Sequence, residues 1–168
     1  QLNRTVKVGS EKVNQFKVLT DYLVLSQQPA LAAPALVDPH DPSAPIDDRA
    51  RSYLHTNCGM CHQRGGLSTV SFYAHRDYPF DQLQITKRPD IGSFGIQSPH
   101  LISSGDPYSS VILYRISKLG YGRMPYVGSR LVDSRGVALI ESWVKSLPAQ
   151  AASLSGPAQK DSHEQTLL

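Results

Sequence analysis

The sequence predicts an all-α fold with a helical domain at residues 43–148. An N-terminal helix and a proline-rich strap precede it at 1–42, and a tail or linker follows at 149–168. Three observations favour this organisation. Apolar residues recur at intervals of three and four in several separate stretches. Capping residues or proline open most of these stretches. Finally, residues 26–45 hold five prolines, which exclude a regular helix and weaken any strand there.

The first predicted helix spans residues 10–25, with Ser10 as a candidate cap. Val13, Phe16, Leu19 and Leu23 give it one apolar stripe. We expect the strap to carry this helix onto the core.

The second predicted helix runs from residue 43 or 44 to 57. Ser43 is a plausible cap, Pro45 suits the first turn, and Asp47 and Asp48 favour the positive end of the helix dipole. This helix leads directly into Cys58.

Residues 63–104 are predicted to be a long irregular insertion. A short strand at 69–74 could pair with a second one around Leu101 and Ile102, and residues 79–85 could form a brief helix. We expect this segment to fold over an edge of the site.

Two further helices are predicted near the C-terminus. Asp106 caps the first, with Pro107 as its first residue and Gly120 as its stop. The second opens at Asp133 or Ser134, carries apolar residues inward at helical spacing, and ends before Pro148.

The most informative stretch is Cys58-Gly59-Met60-Cys61-His62. It matches C-x-x-C-H, the signature of covalent haem attachment. Each thiol can add across one haem vinyl group, and the adjacent imidazole can then reach the iron. The motif therefore predicts one covalently bound haem c, held by Cys58 and Cys61 with His62 as an iron ligand.

Three other interpretations of this stretch are weaker. A structural zinc site normally takes four Cys or His ligands, and the chain has no third cysteine. A thioredoxin-like dithiol normally lies between a strand and a helix, whereas a helix is predicted before Cys58. Two buried core cysteines would leave His62 unexplained.

Met124 is the candidate for the second axial ligand. It lies in the Gly- and Pro-punctuated loop between the last two predicted helices, whereas Met60 is held between the two cysteines. A thioether favours ferrous iron and raises the reduction potential. A gap-filling core methionine is the simpler alternative.

The other histidines are weaker candidates for the iron. His75 and His100 are the competing distal ligands, His55 is expected on the helix surface or in a hydrogen bond, and His40 and His163 are expected to be exposed.

Positive charge is concentrated in the second half of the chain. Residues 58–148 carry ten Lys or Arg against six Asp or Glu, whereas residues 1–57 carry six of each. Arg123, Arg130 and Tyr126 are candidates for contacts to haem propionates or for a rim where an acidic partner docks. An ordinary solvated surface would look the same. No dense basic run interleaved with aromatic residues indicates nucleic acid, and no apolar run reaches the ~18 residues of a membrane span.

The chain resembles bacterial cytochrome c-like domains of the class I, monohaem type. Residues 50–66 follow the pattern ARxYLxxNCxxCHxxGG, and residues 104–147 roughly follow SGDPxxSVLxxR, with Ile112 in place of its leucine, then RMPxxGSxxVDxxGVxLIxxWVxxL. The resemblance covers most of residues 1–148. It implies a cytochrome c-like helical fold, haem bound through Cys58 and Cys61, His62 as proximal ligand and Met124 as distal ligand. One departure is that no proline lies between His62 and Pro79, so another backbone carbonyl in 63–78 would have to orient the histidine.

These observations together predict an electron carrier rather than an enzyme, since no catalytic acid, base or nucleophile constellation is evident. Such modules occur in larger secreted or periplasmic proteins, so the resemblance implies an extracytoplasmic location and a redox partner or a fused dehydrogenase domain. The alternative is a haem-based small-ligand sensor or a peroxidase-like site with an open distal position.

Overall fold

The computed structural model describes residues 2–27 and 35–148. Its elements, in chain order, are strands β1 (Thr5–Val8) and β2 (Glu11–Asn14), then helices α1 (Gln15–Asp21), α2 (Ile46–Cys58), α3 (Val111–Ile116) and α4 (Ser134–Ser146). Two short 3₁₀ helices, Phe80–Leu83 and Pro107–Ser109, lie between α2 and α3. Most of the remaining described chain is irregular.

The prediction of an all-α, cytochrome c-like helical fold is wrong. Over residues 2–27 and 35–148 the structure is only 33% helical and contains a two-stranded antiparallel sheet. Within these residues, long irregular segments lie between four short helices, and a β-hairpin lies at the N-terminal end.

The hairpin replaces the start of the first predicted helix. Strands β1 and β2 pair with Val6 opposite Val13, and Gly9 takes a left-handed φ of 62° in the turn beside Ser10. Glycine adopts this conformation without steric cost, and the β-branched residues on either side favour strands. Helix α1 therefore begins only at Gln15, capped by Asn14, and the predicted Ser10 cap is wrong.

The helix before the motif is confirmed, with its start shifted by two or three residues. Asp47 and Asp48 lie in the first turn of α2 as expected. Ser43 does not cap it, because the Ser43 amide and hydroxyl both donate to Asp41.

The insertion at 63–104 forms neither of the predicted strands, although all of its residues are described. Long-range backbone hydrogen bonds hold it instead: Tyr73 N–H donates to Leu83 O, and Ile102 N–H donates to Ile85 O. The brief helix expected at 79–85 is the 3₁₀ turn Phe80–Leu83. Left-handed residues such as Gln84 and Phe94 interrupt any longer regular structure.

The two C-terminal helices are confirmed, the first of them with two changes. The Asp106 side chain accepts from the amides of Tyr108 and Ser109, as a cap should. Extended backbone at Ser110 then separates the 3₁₀ turn from α3, which ends at Ile116 rather than near Gly120. Helix α4 is capped by the Asp133 side chain and ends before Pro148.

The core lies where α2 and α4 pack together. Trp143 of α4 is fully buried, and its Nε1–H donates to Asp47 Oδ1 of α2 over 2.9 Å. A Cβ at Gly136 would lie 2.3 Å from the Tyr53 ring, so glycine allows the two helices to approach closely.

The N-terminal region is attached to this core through residues 35–42. Val37 N–H donates to Ser52 Oγ, the Arg49 side chain donates to Pro39 O, and Arg4 pairs with Asp38 at 3.5 Å. Helix α1 has no buried residue. Part of the proline strap, 28–34, and the predicted tail lie outside the described residues.

Candidate functional site

The C-x-x-C-H motif forms a tight turn at the end of α2. Cys58 is the last residue of the helix, and its carbonyl accepts from the amides of Cys61 at 3.1 Å and His62 at 2.8 Å. A Cβ at Gly59 would lie 2.6 Å from His55 O, so the close approach requires glycine. The turn therefore holds both thiols and the imidazole on one short, hydrogen-bonded piece of backbone.

A loop from the insertion closes over this turn. Ser68 N–H donates to Cys61 O, and Ala74 N–H donates to His62 O over 2.8 Å. Between them, buried Phe72 lies against His62 with ring centroids 4.8 Å apart. The segment expected to cover the site thus contacts it directly at His62.

The environment of His62 favours a neutral ring. Burial lowers the pKa of His62, the nearby backbone of Phe72 opposes this, and the positive charge of Arg115 lowers the pKa further. The buried Nδ1 atom has no hydrogen-bond partner. A histidine must be neutral to bind a metal, so the His62 ring is suited to act as an iron ligand.

The environment of Cys58 disfavours the thiolate. The residue as a whole is half-buried, yet burial of its thiol, with a further contribution from Cys61, raises the pKa of Cys58 to about 12. Redox-active C-x-x-C pairs depend instead on a thiol whose pKa is lowered, commonly at a helix N-terminus. Cys58 lies at a helix C-terminus, which argues against the dithiol interpretation.

Met124 lies in the segment between α3 and α4, residues 117–132, which we name the Met124 loop. Met124 is half-buried, and its amide donates to Arg115 O over 2.9 Å. Met60, in contrast, is 70% exposed.

Arg123 and Tyr126 also lie in this loop, close to one another. The Arg123 guanidinium donates to the carbonyl oxygens of Pro125 at 3.0 Å, Ser129 at 2.7 Å and Tyr126 at 2.9 Å. Arg123, Tyr126 and Arg130 line one cavity of about 520 Å³ on this side of the protein. The three residues predicted to form a rim are therefore neighbours, but the Arg123 side chain is occupied with the loop's own backbone.

The competing histidines make contacts of their own. The His75 ring lies 4.1 Å from that of His55, between centroids, and its Nδ1 is 3.6 Å from an Asp77 carboxylate oxygen. His55 Nδ1 accepts from the Arg76 amide, in line with the hydrogen-bonding role expected of it. His100 joins a backbone bridge to Ser110.

Of the two remaining histidines, one can be described. His40 is exposed, as predicted. His163 lies outside the described residues.

Sequence reasoning missed two residues of this site. Phe72 carried a weak signal, as an aromatic residue within an apolar stretch. Arg115 is one of the ten Lys and Arg residues between positions 58 and 148, yet it contacts the Met124 loop on both sides of Met124, and its charge lowers the pKa of His62. No local pattern marks it, because its partners lie up to eleven residues onward in a folded loop.

Within residues 2–27 and 35–148, no three His, Cys, Asp or Glu side chains converge on a possible metal position. Over the same residues, no helix combines the length and apolar character needed to cross a membrane.

Comparisons with protein-family models, curated proteins and solved structures found no match to this chain. The likeness of its motifs to cytochrome c-like domains therefore remains a resemblance in sequence pattern.

Proposed function

We propose that this protein is a monohaem c-type electron carrier. Cys58 and Cys61 would hold the haem through two thioether bonds, and His62 and Met124 would be its axial ligands. The observation that carries the proposal is the C-x-x-C-H turn at the end of α2, with a half-buried imidazole, its pKa lowered by burial, immediately after the second thiol.

The donor set suits this group. Both cysteines are free thiols, as thioether formation requires. The lowered pKa of the His62 ring favours the neutral imidazole that a metal requires. Met124 supplies the soft sulfur that completes a His/Met pair.

Electron transfer requires no general acid, general base or nucleophile among the side chains. When bound, the haem supplies an iron that alternates between the ferric and ferrous states. His62 and Met124 would hold the iron and exclude small molecules from it. Phe72 keeps water from the face of His62, and burial limits the reorganisation that accompanies a change of charge.

The location and the partner follow from the same proposal. Covalent haem attachment in bacteria takes place outside the cytoplasmic membrane, so we propose a periplasmic or otherwise extracytoplasmic protein. Its partner would be a redox protein or a dehydrogenase domain in the same polypeptide. The cationic residues Arg130 and Lys118 of the Met124 loop are suited to an acidic partner surface.

The decisive experiment is expression in a host able to attach haem c, followed by denaturation and extraction with acidified acetone. We expect the pigment to stay with the wild-type chain, and with the single variants Cys58→Ser and Cys61→Ser through one remaining bond. In the double variant it should wash free. Pigment that is lost from the wild type, or absent from it, would refute the proposal.

Optical spectra with and without carbon monoxide separate the alternatives. Two filled axial positions predict a low-spin spectrum that carbon monoxide changes little. A high-spin spectrum with ready carbon monoxide binding would indicate the sensor or peroxidase-like site instead.

A further inference from the structure

Arg115, on α3, is bonded to the Met124 loop at three points. Its Nε–H donates to Gly122 O over 2.9 Å, and its Nη2–H donates to the Tyr126 hydroxyl over 3.1 Å. Its own carbonyl accepts from the Met124 amide over 2.9 Å. One residue therefore holds the loop before Met124, at Met124 and after it.

Aromatic packing keeps the Arg115 guanidinium in this position. It lies 5.4 Å from the centroid of the Phe94 ring and 5.9 Å from that of Tyr126, within the range of cation–π attraction. The Phe94 ring stacks on Tyr114, the residue before Arg115. A Cβ at Gly122 would lie 2.6 Å from the Phe94 ring, so this aromatic residue also packs against the loop backbone.

Within the part of the chain that the structure describes, no ion pair neutralises the charge of Arg115. Among the ion pairs of the described residues, none involves its side chain, although the side chain is half-buried. Its hydrogen bonds to Gly122 and Tyr126 place this charge beside the Met124 loop.

Arg123, the other arginine bonded to this loop, contacts a different part of it. Its guanidinium bonds only to residues that follow Met124, namely Pro125, Tyr126 and Ser129. Arg123 shapes the far half of the loop, whereas Arg115 ties the loop to helix α3.

We infer that Arg115 is a positioning residue that anchors the Met124 loop to α3, and so keeps the Met124 thioether in place as a ligand. The inference deepens the proposed function and rests on it for the ligand role of Met124. A second consequence follows from the charge of Arg115, which its hydrogen bonds place beside the Met124 loop: a cation there would favour the less positive, ferrous iron and raise the reduction potential.

The test uses the haem-loaded protein and the variants Arg115→Lys and Arg115→Gln. Arg88→Gln, at an exposed arginine of the insertion, is the control matched for charge. Lysine keeps the positive charge but cannot bond Gly122 and Tyr126 together from a planar fork. Ferric haem with a histidine and a methionine ligand shows a weak absorption band in the far red. Both Arg115 variants should weaken or abolish this far-red band. Only Arg115→Gln should also lose the contribution of the charge to the potential, so its potential should lie below that of Arg115→Lys.

Amide hydrogen exchange in the Met124 loop provides a readout that does not depend on the haem spectrum. We expect exchange of the Met124 amide to become about tenfold faster or more in both Arg115 variants, because local opening no longer breaks the guanidinium bonds. Arg88→Gln should match the wild type.

Exchange and far-red band both unchanged in Arg115→Gln would overturn the inference. If the wild type itself lacked the band, the proposed function would fail, while the exchange rates would still report whether Arg115 holds the loop.

Discussion

The imidazole of His62 packs against the phenyl ring of Phe72, with their centroids 4.8 Å apart and their planes tilted by 47°. The two residues come from different segments, the turn after α2 and the loop that closes over it. Ala74 N–H, two residues beyond Phe72, donates to His62 O and fixes the two segments together. The orientation of the candidate iron ligand thus depends on the irregular insertion.

Replacement of Phe72 by Ala should therefore destabilise the protein and disturb His62. Loss of a buried phenyl ring costs about 3–5 kcal/mol, and Phe72 is only 5% exposed. Phe72→Leu, which keeps much of the apolar volume, should cost roughly 1 kcal/mol. Urea unfolding of the haem-loaded protein measures both. Equal, small effects of the two substitutions would show that the ring contact contributes little.

Met124 and Met60 provide a matched pair for testing the distal ligand. Met124→Leu removes the sulfur with little change in volume, so we expect loss of the far-red band and a lower reduction potential. Met60→Leu should change neither, since Met60 is 70% exposed and confined between the cysteines. Absorption spectra and potentiometric titration are the measurements. A Met124→Leu protein with an unchanged spectrum would remove Met124 from the site.

The thiol of Cys58 should react slowly with alkylating agents in the haem-free chain. Because burial raises its pKa to about 12 from an ordinary value of 9.0, the reaction rate in a Cys61→Ala variant should keep rising above pH 9. In urea, the rate should level off near pH 9. Iodoacetamide kinetics followed by mass spectrometry measure this, and identical pH profiles for the folded and unfolded chains would contradict it.

The same shift makes the stability of the haem-free protein depend on pH. The folded state keeps the Cys58 proton up to a higher pH than the unfolded state does, so the unfolded state binds fewer protons between pH 9 and about 12. Stability should therefore be complete below pH 9 and decline across that interval. A Cys58→Ala variant should lose this part of the decline in urea unfolding experiments.

The substitution Gly136→Ala should destabilise the protein, although most glycine-to-alanine changes inside a helix stabilise it. Replacing glycine by alanine within a helix normally stabilises it by roughly 0.5–1 kcal/mol. At Gly136 the new Cβ would lie 2.3 Å from Tyr53 Cζ and hydroxyl oxygen, so we expect destabilisation by about 1–3 kcal/mol. Ala138→Gly, at an exposed position of the same helix, is the control and should follow helix propensity alone.

A double variant identifies the contact responsible. Tyr53→Leu should relieve the clash, so that the Gly136→Ala substitution costs less in that background. Additive effects of the two substitutions on the free energy of unfolding would exclude a direct clash between these side chains.

The parts of the fold that were predictable are those with local chemical signals. Helix α2 begins after Pro45 and has two acidic residues in its first turn. Asp106 caps the 3₁₀ turn that follows it, and Asp133 caps helix α4. A capping side chain bonds to amides two or three residues away, so the pattern that announces it is short. The C-x-x-C-H turn is local in the same way.

The errors have equally definite causes. In residues 10–25, the helical spacing of apolar residues is misleading, because Gly9 and the valines around it favour a hairpin. In residues 63–104, the backbone partners are far apart in sequence, as with Ile102 and Ile85, and no short-range pattern reports them. The all-α prediction failed for these two reasons together.

The sequence by itself determined the chemistry available to this protein: two thiols and an imidazole at the spacing of haem attachment, and a single other methionine in a loop. Only the tertiary structure decided which residues surround, bury and position these groups. It placed Phe72 against His62, buried the Cys58 thiol, and brought Arg115 to both sides of Met124. The physical reason is that a motif consists of residues that are neighbours in sequence. The residues that bury and position its side chains are far apart in sequence and come into contact only when the chain has folded.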